Sequence, residues 1–81
     1  MRDDTRRSDP AWEREVRDAV TGAFRSLPAR LQAAATLALV EEHSYEEIAE
    51  VLGTSTSAIK ARVFRAVRIL RKKLERLGVR P

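Results

Sequence analysis

The 81-residue chain contains no cysteine. This excludes a disulfide framework and any thiolate zinc site, and its single histidine, His43, cannot form a metal centre by itself. The expected compartment is therefore a reducing one, the cytoplasm. Apolar runs are short, and none approaches the roughly 20 residues needed to cross a bilayer. The first ten residues, MRDDTRRSDP, are charged where an export signal would be apolar. Neither membrane insertion nor export is expected. With three glycines, three prolines and no sustained alternation of period two, the sequence gives no sign of strands. There is no nucleophile paired with a base, no glycine-rich phosphate loop and no ligand cluster, so neither an enzyme nor a cofactor is expected. The pairs Glu41/Glu42 and Glu46/Glu47 suit helix ends better than acid–base chemistry.

Charge is plentiful but unevenly placed. Residues 1–53 carry 7 Lys/Arg against 11 Asp/Glu, net −4, whereas residues 54–81 carry 9 against 1, net +8. A strongly basic last third on an acidic body points to an element facing a polyanion, mounted on a scaffold. A solvated helix face is the plainer account of such a run.

Four helices follow from the apolar spacing. Asp9-Pro10 resembles an N-cap with proline in the first turn, and Trp12, Val16, Val20, Ala23 and Phe24 recur at helical intervals up to about Arg25. Trp12 and Phe24 are expected in the core. Leu27-Pro28 restarts the chain. Leu31, Ala34, Ala35, Leu37, Ala38 and Val40 make a second helix apolar over more than half its circumference, as suits a central, mostly buried element. Ser44-Tyr-Glu-Glu47 has the pattern of a capping box opening a third helix, with Ile48, Ala49, Val51 and Leu52 inward and Gly53 as a left-handed C-cap. Thr54 or Ser55 caps the fourth helix, along which Ile59, Val63, Ala66, Leu70, Leu74 and Leu77 form one narrow stripe before Gly78. Residues 1–9 are expected to be disordered or linker, and residues 10–78 to form the domain.

A short capped helix, a glycine turn and a longer basic helix make a helix-turn-helix. Ala49 is small where the two helices cross, Gly53 permits the turn, and Leu52 with Ile59 closes the core between them. On a wheel of about 100° per residue, Ser57, Lys60, Ala61, Phe64, Arg65 and Arg68 lie away from the apolar stripe and would enter a major groove. Lys60 and Arg65 suit guanine O6 and N7, Ala61 allows close approach, and the Ser55 and Ser57 hydroxyls suit phosphate or base. Phe64 either packs sideways onto the first or second helix or faces outward to thymine methyls or a protein. Arg62 lies at the edge of this face, Tyr45 and Arg30 can approach the same duplex, and Arg71, Lys72, Lys73 and Arg76 extend the basic surface as phosphate contacts or as solvated charge. His43 has no assigned role.

From Leu27-Pro28 to Leu74, with "SYEEIAEVLG" as scaffold and "SAIKARVFRA" as recognition helix, the sequence resembles region 4 of bacterial sigma factors, most closely the extracytoplasmic-function group. The resemblance implies an all-α, four-helix domain with a C-terminal helix-turn-helix that binds the promoter minus-35 element as duplex DNA. It also implies docking on the flap of the RNA polymerase β subunit and, in many members, capture by an anti-sigma factor. By motif position, Lys60, Ala61, Phe64 and Arg65 match base-facing places and Arg62 a backbone-contacting one. Four departures stand out: Thr54 replaces an isoleucine or valine, Ser57-Ala58 a Gly-Thr, and Val67 an arginine, while Ala33–Ala35 replace bulkier and charged residues. Nothing corresponds to region 2, so either a separated domain of a longer sigma factor or a free-standing protein is expected. Two rivals remain open. One is a DNA-binding domain of the LuxR type, which would pair through its last helix and bind palindromes; the other is a module whose main partner is protein.

Overall fold

The computed structural model describes residues 10–78, so the expectations for residues 1–9, including Asp9 as an N-cap, lie outside the described residues. Four helical segments follow in order: α1 Pro10–Arg25, α2 Ala29–Ala35 continued by a π-helical turn Thr36–Val40, α3 Tyr45–Leu52 and α4 Thr56–Arg76. No strand occurs among the described residues. The all-α architecture expected from the apolar spacing is the one formed.

Two apolar clusters share α4. One joins Ala23 of α1, Leu27 of the link, Leu31 and Ala35 of α2, and Ala66 and Leu70 of α4, with Phe24, Ile69 and Leu74 partly buried against it. The other joins Ala34 of α2, Ile48 and Ala49 of α3, and Ile59 and Val63 of α4, with Leu52, Tyr45 and Val67 packed alongside. Adjacent Ala34 and Ala35 of α2 thus serve different clusters, and both are fully buried, as is Ala66. Their small size permits close approach of α2 to α4. Two of the three alanines that replace bulkier residues, Ala34 and Ala35, are therefore packing positions rather than a gap.

Local chemistry fixes the start and end of α3. The Glu47 N–H donates to Ser44 Oγ at 3.1 Å and the Ser44 N–H donates to Glu47 Oε1 at 3.1 Å, completing the capping box. Gly53 takes φ +67°, its N–H donating to the Glu50 carbonyl and that of Thr54 to the Ala49 carbonyl, a Schellman closure. Of the two candidate caps for α4, Ser55 is the one used: its Oγ accepts the Ala58 N–H at 3.1 Å.

Several sequence expectations are corrected. Val51, read as inward, is 73% exposed, because the short α3 turns the face of Tyr45, Ile48, Ala49 and Leu52 toward α2 and α4. Leu77, read as the end of the α4 stripe, is 63% exposed: it is the C-cap after Arg76 and borders open hollows that it shares with Trp12, Val16 and Ala19 of α1. Val40 is also exposed, and the second helix does not stay α-helical: the Glu41 N–H reaches the Thr36 carbonyl and the His43 N–H the Leu37 carbonyl. The widened turn leads into Glu42, which adopts φ +59°, the left-handed region that is costly for a residue bearing a Cβ. Glu42→Gly is accordingly expected to stabilise the domain by up to about 1 kcal/mol, less the entropy that glycine gains in the unfolded chain. Thermal melting of the two proteins checks this, and a lower Tm for the glycine variant would contradict it.

Candidate nucleic-acid interface

The capping box that starts α3 has a third member. His43 places Nε2 3.3 Å from Glu41 Oε1 and Nδ1 3.4 Å from Glu47 Oε1, so the loop between α2 and the helix-turn-helix is braced at the carboxylate that caps α3. The Glu47 carboxyl lies below the usual glutamate range, chiefly because it accepts the Ser44 N–H and secondarily because of His43. A carboxylate held low in the folded state stabilises above its unfolded value, and that contribution is lost as pH falls through the folded one. Glu47→Gln, which retains an amide acceptor without the charge, is therefore expected to be slightly less stable than the wild type at neutral pH and to match it in acid. Denaturant melts across pH test this; a gap that stays constant with pH would contradict it. The sequence signals the Ser44–Glu47 pair by spacing alone, but His43 joins only through the loop conformation.

α3 and the Gly53 turn set the orientation of α4, whose buried stripe of Ile59, Val63, Ala66 and Leu70 holds it against α2 and α3. Opposite that stripe, Ser57, Lys60, Ala61, Phe64, Arg65 and Arg68 are all exposed. Phe64 resolves outward: it is 64% exposed, with the Arg68 guanidinium 6.0 Å from its ring centroid. This is the arrangement of a weak cation–π pair one helical turn apart. The Ser55 oxygen is engaged by the helix cap, which leaves its hydroxyl hydrogen free to donate. Arg62 is half-buried at the edge near the turn, Tyr45 is half-buried against the second cluster, and Arg30 is exposed near the start of α2. Val67, the residue standing in place of an arginine, packs against the second cluster rather than joining the outer face.

Electrostatics sharpens this surface. Among the described residues the ion pairs all involve His43, and none of the lysines or arginines of α4 has a carboxylate partner. A row of cations on an exposed helix face with no intramolecular counter-charge is the footprint of a polyanion-binding element. No group of His, Asp or Glu able to hold a metal occurs among the described residues, and no described helix is long and apolar enough to cross a membrane.

No curated protein matches this sequence. A family model described as Sigma-70, region 4 matches residues 17–70, from within α1 to the last buried leucine of α4, and so takes in α2, α3, the Gly53 turn and α4 up to Leu70. With two-thirds of its length matched and the all-α, helix-turn-helix architecture in place, the chain belongs to the sigma-70 region 4 family, DNA-binding domains of transcription initiation.

Proposed function

We propose that residues 10–78 form a domain that reads the minus-35 element of bacterial promoters as duplex DNA, with α4 as the recognition helix. The observation that carries this is the outer face of α4, where exposed side chains able to donate to bases stand among unpaired cations, backed by a buried stripe that fixes the helix. Lys60 and Arg65 donate to guanine edges, Ala61 lets the backbone approach, and Phe64 meets thymine methyls. Ser55, Ser57, Arg62, Arg68 and Tyr45 hold the sugar-phosphate backbone, with Arg71, Lys72, Lys73 and Arg76 extending the positive surface. The motif pattern supports the extracytoplasmic-function group and the bacterial cytoplasm as the setting. The β flap of RNA polymerase and an anti-sigma factor are the protein partners in this scheme, and exposed Leu39, Val40 and Val51 supply apolar surface for such contacts.

A single helix-turn-helix makes few contacts, so binding by this domain alone is expected to be weak. The experiment is selection from a random duplex pool at low salt, with enriched sequences retested across a salt series. An asymmetric motif of about half a dozen base pairs, the reach of one recognition helix, is the expected result. A palindrome would favour a regulator that pairs through its last helix, and no enrichment would favour a domain whose first partner is protein.

A further inference from the structure

The chain has one histidine and no cysteine, so His43 is the side chain whose ordinary charge change falls between about pH 5 and 8. It stands in the connector between α2 and α3 with a carboxylate at each ring nitrogen. Nε2 lies 3.3 Å from Glu41 Oε1, at the end of α2, and Nδ1 lies 3.4 Å from Glu47 Oε1, in the first turn of α3. These two are the charged groups that face the ring, and among the described residues neither carboxylate has a lysine or arginine partner. A neutral imidazole carries one N–H and donates to one of them, leaving a lone pair against the other. The imidazolium donates to both. The connector that it spans is short and strained, leaving a π-helical turn and passing through Glu42 at φ +59°.

We infer that His43 is a proton-operated brace on the helix-turn-helix, tying the end of α2 to the capping carboxylate of α3 when the ring is charged and holding only one of them when it is neutral. The contacts that hold the proton exist in the folded chain, because the π-helical turn and the start of α3 bring Glu41 and Glu47 to opposite sides of the ring. The contribution is therefore present where the ring is charged and is lost as pH rises and the proton leaves. It is lost again in stronger acid, where the carboxylates take up protons. The loss toward high pH belongs to His43 and the loss in stronger acid to the glutamates, which separates this device from the capping box alone. Glu47 Oε1 also accepts the Ser44 N–H, so ring and cap meet on one oxygen, and mild acid tightens the scaffold that orients α4.

The test is thermal melting at a series of pH values from about 8 down to about 5.5, a range in which carboxylates ordinarily stay ionised. It compares the wild type with His43→Gln, Glu41→Gln, Glu47→Gln and the two double variants that join His43→Gln to each glutamate change. Glutamine keeps a polar group but cannot take up charge, and all three side chains are exposed, so the core is untouched. The α-amino group, which titrates in the same range, is common to every protein compared. The wild type is expected to gain Tm over His43→Gln as pH falls, by about 1–4 °C across the range, the scale of one or two exposed ion pairs in a domain of this size. With either glutamate already changed, the gain should shrink by roughly half, since one carboxylate remains. A gap between the wild type and His43→Gln that stays constant with pH, or widens toward high pH, would overturn the brace. So would a gain that one glutamate change abolishes and the other leaves whole, because that is a single pair rather than a tie between α2 and α3. The melts involve no DNA, so their outcome stands whether or not the domain reads promoter sequence.

Discussion

Ile59→Ala is expected to unfold much of the domain. Ile59 is fully buried, and its cluster with Ala34, Ile48, Ala49 and Val63 is what ties α2, α3 and α4 together. Truncation leaves a cavity among neighbours that cannot collapse freely, because two of them are alanines with no rotamer to adjust. Such changes cost about 2–5 kcal/mol, against a total of roughly 3–10 kcal/mol for a domain of this size. Helicity followed by circular dichroism during melting gives the measurement. Ile59→Val, which removes one methylene, should cost about 0.5–1.5 kcal/mol. Val51→Ala, at an exposed site of the same helix-turn-helix, should stay within about 0.5 kcal/mol. Similar Tm values for the Ile59→Ala and Val51→Ala variants would show that α4 is not held by this cluster.

Arg65→Ala is expected to relax base preference while leaving the fold intact, since Arg65 is exposed and has no partner within the domain. An arginine or lysine placed on guanine discriminates by about 1–3 kcal/mol per base pair, so the preferred base at one position should lose roughly ten- to hundredfold of its advantage. Lys60→Ala should act alike at a different position, because Lys60 and Arg65 leave α4 in different directions. Lys72→Ala is the contrast: a side chain farther along α4 that touches only phosphate weakens all duplexes alike and lowers the salt slope by about 1. Competition binding with single-base variants of the selected duplex separates the two patterns. If Arg65→Ala and Lys60→Ala left sequence preference intact, α4 would not be the reading helix.

Features governed by neighbours in sequence were legible without coordinates. Ser44 and Glu47 are three residues apart, so their reciprocal hydrogen bonds require only that the helix start there. Gly53 follows from the same local logic, as the residue that reaches φ +67° without a Cβ penalty. The outer row of α4 was legible because helical periodicity alone sets Lys60, Ala61, Phe64, Arg65 and Arg68 apart from Ile59, Val63, Ala66 and Leu70. The misses share a different character. Val51 and Leu77 are as apolar as their buried neighbours, and their exposure depends on which faces the partner helices cover. The π-helical turn and the left-handed Glu42 come from joining α2 to a capped α3 in a few residues, a closure that no local pattern encodes.

The sequence by itself thus determined the order of the helices, the capping box and glycine turn of α3, and the polarity of the outer face of α4, because each depends on spacing within a few residues. Tertiary structure alone decided which apolar residues are buried and which way Phe64 points. Those outcomes depend on the approach of helices distant in sequence, and that approach is set by the fully buried alanines where α2 meets α4.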